Sequence, residues 1–164
     1  MLSMSHRAPV ARMSYREYLA LEATSDLRHE FLGDEVFAMA GGTPEHGALA
    51  TTVAGELRAA QRGRACRVYS SDVRVRVAAT GLSTYPDATI VCDRLETDPA
   101  DPDAILNPIV LVEVLSDSTE AYDRGVKAAH YRRIPTLREY VLLSQREPFI
   151  EVYRRNERDH WELI

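Results

Sequence analysis

The run Ile109-Val110-Leu111-Val112-Glu113-Val114-Leu115 constrains this chain more than any other stretch. It lies between Asn107-Pro108 and Ser116-Asp117, is short and β-branched, and so reads as a strand. Apolar side chains on both of its faces need cover on both, the situation of a strand inside a sheet. Helices elsewhere in the sequence supply that cover. The fold class is therefore α/β (α+β), a mixed β-sheet core with flanking helices. One residue breaks the run. Glu113 is a carboxylate among apolar neighbours, and such a group either takes up a proton or is matched by a cation.

Local signals give the remaining elements. Ser14 and Glu17 have capping-box spacing and open a short helix carrying Tyr15, Tyr18, Leu19 and Leu21. HEFL and EVFAMA, on either side of Gly33-Asp34, read as a hairpin. Thr43-Pro44 start a second helix with a stripe of Leu49, Val53 and Leu57 and an end near Gly63. CRVYS and DVRVRVA are strands, the second with Val73, Val75 and Val77 on one face and Asp72, Arg74 and Arg76 on the other. TYPDATIVCD is a strand opened by Pro86, and the acidic stretch Asp93 to Asp103 is a loop. Asp117 and Glu120 repeat the capping-box spacing before a helix reaching Arg133, which Gly125 interrupts. REYVLLS and FIEVYRR form a closing hairpin, and HWELI begins a further strand. The mixed sheet is expected to hold five to seven strands, with residues 1–12 as a flexible tail and 13–164 as one domain.

Composition excludes several classes. The 164 residues are 45% apolar and 27% charged, enough to bury a core without disulfide or metal staples. No run approaches the ~18 apolar residues of a membrane span, and the start lacks the apolar centre of a secretion signal. A cytoplasmic protein is expected, with no membrane contact and with Cys66 and Cys92 as unbridged thiols. Two isolated cysteines and five scattered histidines give zinc no support, and no Gly-rich phosphate loop is present. The net charge of −5 has the wrong sign for a general nucleic-acid binder, but the Asp93 to Asp103 segment alone carries −4. Among 20 basic residues there is one lysine, Lys127.

Asp87 follows Pro86 at the start of the strand preceding that of Glu113. If the two strands pair, their carboxylates can converge on one hard divalent cation. From here the sequence resembles a known group. Pro86-Asp87, then Glu113 to Ser116, resembles the PD-(D/E)XK nuclease superfamily. The segments HEFLGDEVFAMAGGTPEHG, YPDATIVCD, LVEVLSDSTEAYDRGVKAAHYRR, REYVLLS and IEVYRR are more closely similar to the Uma-type restriction endonuclease family, known mainly from bacterial genomes. The resemblance implies a restriction-endonuclease-like core, Mg²⁺ (or Mn²⁺) held by Asp87, Glu113 and the Val114 carbonyl, and DNA as substrate.

In the superfamily a lysine two residues after the glutamate orients the attacking water, and Leu115 stands there instead. The resemblance moves that role to Lys127 on the following helix, in agreement with its being the sole lysine. It also marks Glu30 as a third carboxylate, which could equally pair with Arg28, and His46 as a phosphate or ligand contact. Asp72 reads as a salt-bridge partner of Arg74 and Arg76, with support of the metal site as the alternative. Tyr131, one turn after Lys127, packs on the same helix face and can hydrogen-bond into the site. Arg124, Arg132, Arg133, Arg74 and Arg76 are candidates for phosphate contact. Cutting both strands of a duplex favours a homodimer. The rivals are an inactive nuclease fold kept for DNA binding or assembly, and a hydrolase acting on RNA or a nucleotide.

Overall fold

The computed structural model describes residues 7–164. Thirteen strands among them form two sheets: β1 Ala11–Arg12, β2 His29–Leu32, β3 Glu35–Ala38, β4 Cys66–Ser70, β5 Arg74–Val77, β6 Leu82–Thr84, β7 Ala88–Cys92, β8 Thr97–Asp98, β9 Asp101–Ile105, β10 Val110–Val114, β11 Glu139–Leu143, β12 Ile150–Arg155 and β13 Trp161–Leu163. The helices are α1 Tyr15–Thr24, α2 Pro44–Ala60, α3 Glu120–Tyr122 and α4 Ala128–Tyr131, with a π-helical turn, Asp123–Lys127, joining the last two. None of them is long and apolar enough to cross a membrane.

One sheet runs β1-β3-β2-β6-β5-β9-β8 and the other β13-β12-β11-β10-β7-β4. Each contains one parallel pair, β5 with β9 and β10 with β11, so both are mixed. The two sheets pack together through Val75, Val77, Leu82 and Ile105 of the first and Val91, Leu111, Leu115 and Leu142 of the second, with Ala128, Tyr131 and Ile134 wedged among them. The opposite face of β10, Val112 and Val114, is covered by Leu49, Val53 and Leu57 of α2. β10 is thus covered on both sides, as its apolar run requires.

Several local expectations hold. Ser14 and Glu17 form the capping box, Gly33 turns the β2–β3 hairpin at φ +69°, and Thr43 caps α2 with Pro44 in its first turn. Others are corrected. The thirteen strands exceed the expected five to seven and divide between two sheets: β1 and β6 are short additions, and the acidic stretch is not simply a loop but contains β8 and β9, where Asp101 is buried in a two-pronged ion pair with Arg74. Asp117 makes no capping box with Glu120; the N-cap is Thr119, without a side-chain bond, while Asp117 pairs with Arg146 on the surface. Of the proposed tail, residues 1–6 lie outside the described residues, but Ala11–Arg12 pair with β3 and Arg7 reaches Glu30. Cys66 and Cys92 are joined in a disulfide, contrary to the expectation of free thiols. The β4–β7 register sets them opposite one another, and the Asp93 N–H to Ala65 carbonyl bond marks the close, non-hydrogen-bonded type of pair.

Candidate active site

β7 and β10 are antiparallel neighbours, with Ala88 opposite Val112. This brings Asp87, the residue before β7, level with Glu113. By strand alternation the two carboxylates leave the sheet on one face: Val91 and Leu111, which share their parities, lie in the same core cluster. Asp87 is fixed at both oxygens. The Val114 N–H donates to its Oδ2 at 2.7 Å, and His46 sets Nε2 2.7 Å from its Oδ1. His46 is in the first turn of α2, so the positive end of that helix also faces Asp87. The hydrogen bond with Asp87 raises the pKa of His46 above its usual value, against the opposing effect of burial.

Glu113 is 5% exposed. Its Oε1 accepts from the Tyr131 hydroxyl at 2.7 Å and lies 3.0 Å from Lys127 Nζ. Burial pushes its pKa up to about 8, with Asp123 and Asp87 adding to the rise and Lys127 opposing it. Lys127 is the hub of the cluster. Its ammonium lies 3.0 Å from Asp123 Oδ1 and 3.5 Å from Glu30 Oε1, and sits 5.4 Å from the centre of the Tyr122 ring. Burial disfavours the charged lysine, but Asp123, Glu113 and Glu30 together outweigh it and hold its pKa above normal.

Glu30, on β2, is buried and accepts from the Thr84 hydroxyl at 2.5 Å, while Arg7 pairs with its other oxygen at 2.6 Å. The alternative partner, Arg28, pairs instead with Asp72. The π-helical turn carries Asp123 and Lys127 into the interior together, and the Tyr140 hydroxyl braces the Asp123 carbonyl at 3.0 Å. Wide turns of this kind recur where a helix must aim side chains into a site.

Asp87, Glu113, Lys127, Glu30, His46 and Tyr131 are therefore brought together. Asp72, Arg74, Arg76 and Arg124 are not. Arg74 is held by Asp101 and the Tyr85 hydroxyl, Arg76 by Asp98 and Ser83, and Arg124 by Glu120 and Glu151. Arg132 lies over the Tyr153 ring, and Arg133 is exposed. Asp72, taken by Arg28, pairs with neither Arg74 nor Arg76.

Two participants are not singled out by the sequence reading. Asp123 precedes Lys127 by four residues, the spacing of a helical ion pair, and that spacing is the signal that could have found it. Gln145 donates to the Leu115 carbonyl at 2.7 Å and sets Nε2 3.3 Å from His46 Nδ1, linking the end of β10 to the histidine. It lies two residues past the end of β11, and nothing in its local pattern marks it.

The cluster is rich in negative charge. Four carboxylates, Glu30, Asp87, Glu113 and Asp123, face Arg7, Lys127 and His46. No group of three or more His, Cys, Asp or Glu side chains forms a ready metal cage among the described residues. Any cation would rest on two carboxylates, backbone oxygen and water, the style of a small hard ion such as Mg²⁺.

The fold has a counterpart among solved structures. A structure of "a putative nuclease belonging to DUF820" from Anabaena variabilis is similar with a TM-score of 0.68, at 15% identity over 85% of this chain and 78% of that one. The likeness at that identity is one of fold. A model of the Uma2 family, described as "Putative restriction endonuclease", matches residues 15–164, and the chain belongs to that family. Two Synechocystis relatives extend the likeness: slr1290 is 32% identical across 100% of this chain and 85% of its own length, and sll1609 is 29% identical across 90% and 83%.

Proposed function

We propose that the protein is a Mg²⁺-dependent endonuclease hydrolysing phosphodiester bonds in DNA, with Asp87, Glu113 and Lys127 as its reactive core. One observation carries the reading: the sole lysine of the chain, fourteen residues after Glu113, has its ammonium 3.0 Å from that buried carboxylate and on the face shared with Asp87. The surplus of carboxylates over cations fits a divalent ion, because such an ion lets Glu113 remain ionised where burial favours its protonated form. Asp87, Glu113 and the Val114 carbonyl would hold Mg²⁺, or Mn²⁺ in its place. When bound, the ion supplies positive charge to a non-bridging phosphate oxygen and lowers the pKa of its water.

The chain's own groups do the rest. Lys127 offers a compact ammonium that positions a water against phosphorus and stabilises charge growing on the phosphate. Tyr131 fixes the Glu113 carboxylate, and Asp123 keeps the lysine charged. His46 and the Val114 N–H lock the rotamer of Asp87, and Gln145 steadies the histidine. Glu30 adds a further buried carboxylate 3.5 Å from the Lys127 ammonium and helps hold its charge. A cytoplasmic location is part of the proposal, where the Cys66–Cys92 bond would be open to reduction, and cleavage of both strands would call for two copies related by a two-fold axis.

The test is incubation with duplex DNA, single-stranded DNA and RNA in Mg²⁺, Mn²⁺ or EDTA. Asp87→Ala and Glu113→Gln should each abolish metal-dependent cleavage while the circular dichroism spectrum stays that of wild type. Full activity in either variant removes the reading.

A further inference from the structure

The arginines engaged in ion pairs contrast with a group near the end of α2. Arg58 in the last turn of α2, Arg62 just past its end and Arg67 on β4 line a groove of about 580 Å³ between the helix and the sheet, with Gln61 and Tyr69 also in its wall. β4 is an edge strand, so the groove is open along one side. Arg64 stands in the turn between the two elements, and all four arginines are exposed. None of their guanidinium groups has an ion-pair or hydrogen-bond partner among the described residues. No carboxylate lines the groove. The nearest acids in the connected chain are Glu56 and Asp93, the latter bonded through its backbone N–H to Ala65.

This concentration is unusual in a chain of net charge −5. A helix C-terminus favours cations, which accounts for Arg58 and Arg62 but not for Arg67. Charge on an edge strand guards against strand pairing, which accounts for Arg67 alone. Neither explains why the three converge on one acid-free groove, where like charges repel one another. An anion of repeated charge resolves that repulsion, and the planar guanidinium fork suits phosphate oxygens.

We infer that this groove grips the phosphodiester backbone of nucleic acid at a distance from the scissile bond. The inference rests on the nuclease reading for the identity of its ligand. Geometry supports it, since α2 carries His46 at its start and Arg58 twelve residues later, roughly 18 Å along the helix axis. That length corresponds to about five nucleotide steps of a duplex strand. A backbone running along α2 would meet the groove at one end and Asp87 at the other.

The experiment is fluorescence anisotropy of the full chain with a short labelled DNA duplex in EDTA, over a range of salt. R58A/R62A/R67A should bind at least tenfold more weakly, and the slope of log K against log salt should fall by roughly 2–3, about 0.9 for each phosphate no longer neutralised. R58K/R62K/R67K should keep most of the slope, and thermal melts should show all variants folded. A matching drop in affinity for single-stranded RNA would support a grip on the phosphodiester chemistry common to both. The inference is overturned if the alanine variant keeps wild-type affinity and salt slope, or if the wild type has no affinity for duplex. If the wild type fails to cleave in Mg²⁺ yet binds through these arginines, the nuclease reading falls and the groove stands. If it cleaves and the alanine variant binds as tightly, only the groove falls.

Discussion

Glu113→Gln separates the electrostatic role of this residue from the catalytic role proposed for it. The folded protein raises this carboxyl from 4.5 to about 8, chiefly by burial. An acid whose folded pKa exceeds its unfolded one helps stability most below the unfolded value, and that help disappears as pH rises through the folded value. Without metal, the wild type should therefore weaken between pH 5 and pH 8. Each pH unit in this window corresponds to at most ~1.4 kcal/mol, so the Glu113 contribution between pH 5 and pH 7 is about 2–3 kcal/mol. Glutamine keeps the shape and still accepts from Tyr131 and Lys127, but has no proton to lose. Urea unfolding of both proteins in EDTA at pH 5, 6, 7 and 8 gives the measurement. The variant's stability relative to wild type should climb through the series, the two curves crossing or diverging by roughly 2 kcal/mol or more. A difference that stays flat across the range would refute the reasoning that Glu113 is a strained buried acid. Saturating Mg²⁺ should flatten the wild-type curve, since a bound divalent ion holds the carboxylate ionised.

Other outcomes follow from the same cluster. Lys127→Met leaves the Asp123 carboxylate buried without its ammonium and should cost about 3–5 kcal/mol in urea unfolding, besides reducing cleavage strongly. Wild-type activity and stability in Lys127→Met and Lys127→Arg alike would end the assignment of the lysine. Tyr131→Phe removes one buried hydrogen bond to Glu113, with an expected cost of about 1–2 kcal/mol and a further rise in the Glu113 pKa, read as a shift of the pH-dependent fall in stability to higher pH. C66S/C92S opens a link spanning 26 residues, and the chain-entropy relation gives a destabilisation of about 3.5 kcal/mol. Unchanged melting of that variant and of reduced wild type would show the bridge contributes nothing.

The site is legible in the sequence where a residue conflicts with its surroundings. Glu113 in an apolar strand and a lone lysine among arginines are chemical anomalies visible in one dimension, and both lead to the cluster. Asp87 becomes readable through the pairing of adjacent strands. What stays hidden depends on partners far away in the chain. Asp101 looks like one more acid in a solvated loop until β9 docks beside β5 and Arg74 takes it in a double hydrogen bond. The same ion pair withdraws Arg74 from the set free to meet phosphate. Val75 and Val77 do turn inward while Arg74 and Arg76 lie on the other face, but alternation reveals the face and not the partner. Cys66 and Cys92 sit in strands that local patterning locates, and their bond depends on register, which no local pattern encodes.

The parallel pairing of β10 with β11 has one more consequence. Parallel neighbours cannot be joined by a tight turn, so the chain must climb off the sheet after Val114 and travel back before Glu139. That excursion carries Asp123, Lys127 and Tyr131 over the carboxylate just left behind. A lysine two places along β10 would be locked to the strand; one borne on the crossover sits on separate scaffolding. The contact between the ammonium and Glu113 is thus one of side chains alone, and breaking it severs no rung of the ladder between the strands.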